Sequence, residues 1–138
     1  LSNSVDVRLA YRWYDVKQVY LHTTREAPLM SKHRAFINAA FKPNDKWAMD
    51  ATLNWVGPKR IPNQVNYSPS YITANFQLSK EFGELLDVYI GCENLTNFTQ
   101  SGPILGVENP FGNDFDANLV WGPIYGRMFY VGFRFEIN

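Results

Sequence analysis

The sequence has little of three things that would point directly to a function: cysteine, histidine and net charge. Its 138 residues include one Cys and two His, and 13 Lys and Arg balance 13 Asp and Glu. A single cysteine, Cys92, forms no internal disulfide, which excludes a small disulfide scaffold, and two separate histidines leave few ligands for zinc. The balanced charge argues against a basic chain that binds nucleic acid.

Long apolar runs and targeting signals are also missing. A charged or amide side chain interrupts every apolar run before the roughly 18 residues that a membrane-spanning helix needs, so we exclude a helical membrane protein. The chain begins at Leu1 without an initiator methionine, a basic stretch or an apolar signal core. We interpret that start as belonging to a mature product or to a fragment of a longer protein.

Apolar and polar residues alternate with period 2 over most of the chain, which is typical of β-strands that have two different faces. The clearest case runs from Trp47 to Val56, with apolar residues at the odd positions. The second strand is weaker because Phe36 falls among its polar positions. The pattern predicts six strands, over about residues 5–16, 32–41, 47–56, 72–79, 86–93 and 129–137.

The connections between the predicted strands are alternately long and short. Tight turns are predicted at residues 42–46 and 81–84, and long loops at 17–31, 57–70 and 94–127. Loops of this length are uncommon in a compact soluble domain. Transmembrane β-barrels have this arrangement, with short turns on the periplasmic side and long loops outside.

Aromatic residues on the apolar faces predict where a membrane would lie. Trp47 and Trp55 are eight residues apart on one face, which corresponds to roughly 20 Å along the membrane normal for a tilted strand. Aromatic residues near strand ends are typical of the two girdles of a membrane barrel. The predicted girdle residues are Trp13, Trp47, Trp55, Phe129 and Phe135.

A soluble β-sandwich or a lipocalin-like ligand-binding module is the alternative, because these folds also alternate their faces and use hairpins. In that case the aromatic residues would line an internal cavity. The polar faces argue against it, since they are rich in Thr, Asn, Gln, Ser and Gly. A surface in bulk water would instead carry many Lys and Glu residues.

The number of strands predicts an incomplete barrel. Membrane barrels have at least about eight strands, and an open sheet edge in lipid would leave backbone N–H and C=O groups without partners. We therefore predict an all-β fold in which residues 1–138 form an antiparallel up-and-down transmembrane β-barrel segment, about six strands of a larger barrel. With the short turns on the periplasmic side, the last strand descends and the C-terminus is periplasmic.

The last strand resembles the C-terminal β-signal of outer-membrane proteins, which the barrel-assembly machinery reads. In residues 130–138, Gly132, Phe135 and Ile137 occupy the positions of that signal. The stretch departs from the commonest form of the signal by ending on Ile137 and Asn138 instead of an aromatic residue. The missing side chain of Gly132 lets another backbone or a Tyr ring approach the strand closely.

An upstream segment is similar to the GxENLxN motif that closes the penultimate strand of TonB-dependent outer-membrane receptors. Its motif residues are Gly91, Glu93, Asn94, Leu95 and Asn97. The loop over residues 102–127 looks like the Bacteroidetes branch of that family. The resemblance implies a bacterial outer-membrane barrel of about 22 strands with an N-terminal plug. Such receptors take up a scarce nutrient with energy delivered by TonB, and they perform no catalysis.

On this resemblance the chain is the C-terminal part of such a receptor, and the plug and the earlier strands lie outside it. The implied partners are outer-membrane lipid and lipopolysaccharide, the remainder of the barrel and its plug, the barrel-assembly machinery, and TonB through the plug. Neither nucleic acid nor a cofactor is among them.

Three further interpretations come from the residues themselves. Asn94 and Thr96 at a strand end either turn the chain into the loop by bonding the nearby backbone or contact a ligand directly. The basic pair Lys59 and Arg60 lies in a loop, where it would meet lipopolysaccharide phosphates or only water. The sequence contains no nucleophile elbow, His-rich metal motif or Walker-type phosphate loop, so we predict that the protein is not an enzyme.

Overall fold

The computed structural model describes residues 4–62, 66–113 and 115–137, and within these ranges the chain is all-β. Asn138, the last residue of the stretch that resembles a β-signal, lies outside them. The strands are β1 (Val5–Trp13), β2 (Lys17–Tyr20), β3 (Thr23–Glu26), β4 (His33–Asn44), β5 (Trp47–Val56), β6 (Tyr71–Phe82), β7 (Leu86–Glu93) and β8 (Met128–Phe135). No helix in the described ranges is long and apolar enough to cross a membrane.

Six of the strands form one antiparallel sheet in the order β1-β4-β5-β6-β7-β8, and β2 and β3 form a separate two-stranded sheet. Apart from the β2–β3 hairpin, strands that follow one another in the chain are neighbours in the sheet, which is the predicted up-and-down order. β1 and β8 are the two edges, so the sheet does not close into a barrel within the described residues. The all-β antiparallel prediction is confirmed, and barrel closure remains a proposal.

The β2–β3 hairpin lies inside the first predicted loop, so the prediction of an irregular stretch there was wrong. Its two-residue turn is formed by Leu21 and His22, which both have positive φ, 45° and 62°. Two-residue hairpins favour such turns, but their usual signature is Asn-Gly or Asp-Gly. A Leu-His pair carries no such signal. The first predicted strand is also shorter than expected, because β1 ends at Trp13.

The strand ends at the short turns differ by a few residues from the predictions. The connection after β4 is only Asp45 and Lys46, because β4 continues through Pro43 to Asn44. The pairing of β4 with β5 shifts register between Phe41 and Asn44. A bulge of this kind accommodates proline, which has no N–H for the ladder. At the same end of the sheet, on its opposite edge, the last strand stops at Phe135, two residues before the predicted end.

The register places apolar residues opposite apolar residues across the whole sheet. One row of direct partners consists of Val5, Phe41, Met49, Leu78, Ile90 and Val131. Nothing in the described chain covers this face, and Leu9 and Val131 are 71% and 75% exposed. Rows of the opposite face are polar, for example Arg8, Asn38, Thr52 and Asn75. Phe36 lies on the polar face, as predicted, because it pairs with Asn54.

The buried core lies among the long loops and not on either face of the sheet. Ile61, Leu119 and Trp121 form it, with Leu29, Tyr71 and Phe98 packed around them. Each long connection supplies at least one of these residues, so the three loops close over one end of the sheet together. Tyr71 is the only member that belongs to a strand of the sheet, and its register partner Val56 places it on the polar face. The loops therefore fold toward the polar side.

Candidate functional site

The five predicted girdle residues all lie on the apolar face. Trp55 pairs with Ala35 near the loop end of the sheet, and Trp47 lies next to the Asp45–Lys46 turn at the other end. The ammonium of Lys80 lies 4.7 Å from the centre of the Trp47 ring. In strand register Trp13 is opposite His33, Phe129 is opposite Cys92, and Phe135 is opposite Leu86.

The three residues that resemble the C-terminal β-signal differ in their position relative to β8. Gly132 lies within β8 opposite Tyr89. Phe135 is the last residue of β8, and Ile137 lies beyond the strand, 88% exposed. The far edge of β8 has no neighbouring strand in the described chain, so its backbone groups are available to another strand.

Gly91 and Gly132 face tyrosine rings on the neighbouring strand. A Cβ atom at Gly91 would lie less than 3.0 Å from the Tyr130 ring, and one at Gly132 would lie equally close to the Tyr89 ring. The two rings meet edge to face with centroids 6.3 Å apart. The Tyr130 hydroxyl donates to Gln77 Oε1 at 2.9 Å. The two glycines thus make room for an aromatic pair on the polar face. At Gly132 the sequence left either a backbone or a Tyr ring as the close neighbour, and the structure has the ring.

Asn94 directly follows β7, has a left-handed backbone conformation with φ 50°, and is only 7% exposed. Its Nδ2 donates to the carbonyls of Phe98 at 2.8 Å and Tyr125 at 3.1 Å. Its Oδ1 accepts from Thr96 Oγ1 at 3.0 Å and from the Phe98 N–H at 3.2 Å. An amide side chain has two donors and two acceptor sites, and all four are used here. Of the two interpretations of Asn94, the geometry favours the turn and leaves no free group for a ligand.

Other motif residues tie the ends of three strands together. Asn97, with φ 54°, accepts the Arg127 N–H on its Oδ1 at 2.8 Å. The Leu95 N–H donates to the carbonyl of Ala74 at 2.7 Å, and the Leu95 carbonyl accepts from Arg127 Nη2 at 2.8 Å. These bonds join the end of β7 to β6 and to the segment that enters β8. Glu93, by contrast, is exposed and lines a cleft beneath residues 122–125.

Gln100 organises the loop core, a role that the sequence did not predict. Its Oε1 accepts the N–H groups of Trp121 at 2.7 Å and Gly122 at 3.0 Å, and its Nε2 donates to the Leu119 carbonyl at 2.7 Å. The side chain is buried. A single glutamine in a polar loop has no spacing or motif that would reveal such a role, because its partners lie 19 to 22 residues away.

The prediction for Lys59 was wrong, since its side chain faces neither lipopolysaccharide nor water. Lys59 is 8% exposed, its ammonium donates to the Trp121 carbonyl, and it lies 5.7 Å from the centre of the Tyr71 ring. Burial, and then the nearby charge of Arg34, lower the pKa of Lys59. Arg60 Nε donates to the Glu26 carbonyl at 2.6 Å, which joins the second loop to the β2–β3 hairpin.

A small ionic network holds the first two loops together. Glu26 Oε1 lies 2.5 Å from the ammonium of Lys32, and Glu26 Oε2 accepts the Tyr67 hydroxyl at 3.0 Å. The hydrogen bond from Lys32 is the main reason why the pKa of Glu26 is lowered from its usual range. The same pair raises the pKa of Lys32. The carboxylate is therefore ionised at neutral pH and connects the two loops.

The described residues contain no group of three or more His, Cys, Asp or Glu side chains that could hold a metal ion. His33 Nδ1 is instead 2.6 Å from the hydroxyl of Tyr11. Cys92 is a free, buried thiol that lies in register with Phe76 and Phe129 on the apolar face.

Comparison of the chain with protein-family models, with curated proteins and with solved structures gave no match. The function is therefore inferred from the geometry of the chain itself, a two-faced sheet with an open edge on each side and a cluster of loops over one end.

Proposed function

We propose that this chain is the C-terminal part of the β-barrel of a TonB-dependent receptor in a bacterial outer membrane. The observation that carries the proposal is the uncovered apolar face, which continues in register across all six strands of the sheet. A soluble protein rarely exposes a contiguous apolar patch of more than a few hundred Å². Lipid is the environment in which such a face is stable without a protein partner.

The two open edges support a larger barrel. In lipid, unpaired backbone N–H and C=O groups each cost several kcal/mol, so membrane sheets close on themselves. β1 and β8 would each pair with strands from the remainder of the barrel. The exposed backbone of β8 also suits recognition of its C-terminal residues by the barrel-assembly machinery.

The polar face supports a water-filled lumen. Asn38 Nδ2 donates to both carboxylate oxygens of Asp50, at 3.0 and 2.9 Å, and to Thr52 Oγ1 at 2.9 Å. Such a network of short polar side chains suits a barrel interior that contains water and lies near other parts of the protein. Residues 122–125 of the third loop line a cleft together with Thr73 and Asn75, so this loop lies over the polar face, where it would border the lumen of a barrel.

The receptor assignment depends on the motif residues. The bonds of Asn94 and Asn97 give both asparagines of the motif a structural role at the end of β7, and the Tyr rings packed at Gly91 and Gly132 require glycine at those positions. The proposed partners are outer-membrane lipid and lipopolysaccharide, the rest of the barrel with its plug, and TonB through the plug. The proposed activity is uptake of a nutrient and not catalysis.

A soluble binding module is less well supported by the packing. A β-sandwich buries the apolar face of one sheet against a second sheet. In the described residues the second sheet is the small β2–β3 hairpin, and the buried cluster belongs to the loops.

Single-tryptophan variants in vesicles with brominated lipids test the membrane assignment. Trp47 and Trp55 should be quenched by bromine on the acyl chains, whereas Trp121, buried in the loop core, should keep its emission. A monodisperse protein in buffer without detergent, or equal quenching at all three sites, would contradict a membrane barrel.

The gene provides the test of the receptor assignment. The open reading frame upstream of the codon for Leu1 should encode a plug-length segment and about sixteen further strands. A reading frame without them would contradict a TonB-dependent receptor, even if the lipid experiment succeeds. Uptake by the complete protein should stop when TonB is deleted.

A further inference from the structure

One charged residue lies on the otherwise apolar face of the six-stranded sheet. On β6 this face is formed by alternate residues, and Lys80 follows Leu78 and precedes Phe82 in that series. The other charged residues of these six strands lie on the polar face: Asp6, Arg8, Arg12, Arg34, Lys42, Asp50, Glu81, Asp87, Glu93 and Arg134. Within the six strands, all of which the structure describes in full, Lys80 is thus the single Lys, Arg, Asp or Glu on the apolar face.

Lys80 lies near the end of the sheet that carries the short turns, residues 45–46 and 83–85. Its cross-strand partner is Trp47, the first residue of β5, and one further row, which contains Phe82 and Leu86, separates Lys80 from the turn. A charge on the lipid face of a barrel costs most at the bilayer midplane and little at the interface. Lys80 is therefore at a level of the sheet where a lipid-facing charge is tolerated, beside one of the predicted girdle residues.

Two aromatic rings lie against the ammonium of Lys80. Its Nζ atom is 4.7 Å from the centre of the Trp47 ring and 4.7 Å from the centre of the Phe82 ring. Rings at such distances attract a cation but carry no negative charge. No carboxylate of the described residues forms an ion pair with Lys80. Because an ammonium has three N–H donors, two ring contacts leave at least one donor, and the whole positive charge, for an anion.

The surface beside the Lys80 ammonium is apolar and uncovered. Leu78, two residues earlier on the same face, pairs with Met49 and Ile90. Ile90 is 54% exposed, and Phe82 is 48% exposed. A soluble anion would pair with the ammonium and leave these side chains in water, whereas a hydrocarbon chain would cover them and leave the charge without a partner. An amphiphile with an anionic head and apolar tails satisfies both parts of the surface.

We propose that Lys80, with the rings of Trp47 and Phe82, binds an anionic phospholipid, whose headgroup phosphate pairs with the ammonium while its acyl chains lie along the apolar face. A lysine suits this role because its flexible stem lies on apolar surface while its ammonium reaches the headgroup. With the short turns on the periplasmic side, Lys80 meets the periplasmic leaflet, opposite the leaflet that carries lipopolysaccharide. The inference rests on the membrane part of the proposed function and not on the assignment to a receptor family.

The fluorescence of Trp47 reports occupancy of this site. Variants of the protein that carries this chain, with Trp47 or Trp55 as the only tryptophan, are inserted into vesicles of phosphatidylcholine and phosphatidylglycerol that carry bromine on the acyl chains of one lipid at a time. We expect phosphatidylglycerol to associate with the Trp47 site about fivefold more strongly than phosphatidylcholine, which corresponds to one lysine near an anionic membrane surface. Quenching of Trp55, at the far end of the face, verifies that each variant is inserted.

Substitutions separate the charge of Lys80 from other charges at the same end of the sheet. Lys80→Gln should abolish the preference, so that both lipids associate about equally, and Lys80→Arg should retain it, because the charge is kept. Lys42→Gln is the matched control. Lys42 is an exposed lysine that lines a cleft on the polar side with Gln77 and Ser79, so its loss should leave the preference unchanged.

Several results would overturn the lipid site. They are equal association of the two lipids with the wild-type site, an equal loss of preference in Lys42→Gln and Lys80→Gln, and a preference that inorganic phosphate abolishes but sodium chloride of the same ionic strength does not. In each case bromine would still quench Trp47 and Trp55, and the membrane assignment would stand. Absence of quenching at both tryptophans would contradict the membrane assignment and the lipid site together. If Lys80→Gln does not insert, Lys80→Met decides the question, because it removes the charge and keeps a long apolar side chain on this face.

Discussion

The ring of Tyr130 on β8 fills the space that the missing side chain of Gly91 leaves on β7. The register makes these residues direct partners, and the reciprocal pair, Tyr89 with Gly132, lies two residues along the same two strands on the same face. An aromatic ring laid over a cross-strand glycine shields backbone that would otherwise be bare. The four residues explain why two glycines occur in strands that otherwise favour side chains, since glycine alone weakens a strand.

We expect Gly91→Ala to destabilise the protein by about 1–3 kcal/mol, because its Cβ would overlap the Tyr130 ring and force the ring to move. The free energy of unfolding in denaturant measures this cost. In the double variant Gly91→Ala with Tyr130→Ala, the added methyl group meets no ring, so the two costs should not add. Additive costs would show that the ring is not packed on the glycine.

Asn94→Ala should cost about 2–3 kcal/mol, because four hydrogen bonds are lost and alanine is strained at φ 50°. Hydrogen exchange at the amide of Phe98 and the free energy of unfolding would report the loss. Asn94→Gly separates the two causes, since glycine accepts the backbone conformation but makes none of the side-chain bonds. If Asn94→Gly were as stable as the wild type, the side-chain bonds would have no net effect.

Leu53→Arg tests the environment of the apolar face at its centre, where Leu53 pairs with Ile37 and Ala74. If the face meets lipid, the substitution should reduce the stability of the vesicle-inserted protein by about 2–4 kcal/mol. Asn54→Arg is the matched control, because it places the same charge one residue along on the polar face and should cost far less. Equal costs for the two variants would contradict a lipid-facing side, and normal folding of Leu53→Arg without detergent would contradict any buried role for this face.

The parts of the fold that depend on local alternation could be predicted from the sequence. The six strands of the sheet, their two faces and the exceptional position of Phe36 follow from period 2, because each residue's face is set by its neighbours along the strand. The alternation also predicts that the missing side chains of Gly91 and Gly132 leave space on the polar face. It does not identify Tyr130 and Tyr89 as the residues that occupy this space.

The parts that depend on contacts between distant loops could not be predicted. Lys59 carries a charge that normally indicates exposure, and only its position against Trp121, 62 residues away, explains its burial. Gln100 likewise gains its role from the carbonyl and N–H groups of another loop segment. The β2–β3 hairpin lacks a turn signature because Leu21 and His22 adopt conformations that other residue types favour.

The ion pair between Glu26 and Lys32 should make the stability of the first loop dependent on pH. Its ion pair with Lys32 lowers its pKa below the ordinary value of 4.5. A group with a lowered pKa contributes its full stabilisation above that ordinary value and loses it as the pH falls through the pKa of the folded state. Glu26→Gln should therefore lower Tm by about 1–3 °C near neutral pH. The difference in Tm between the two proteins should shrink as the pH falls below 4.5 and through the lowered pKa of the folded state. Tyr67→Phe is the control: it removes the weaker hydroxyl bond and leaves the ion pair, so its melting temperature should follow the wild-type pH dependence. A Tm difference between wild type and Glu26→Gln that stayed constant from neutral to acidic pH would show that the ionised carboxylate does not stabilise the first loop.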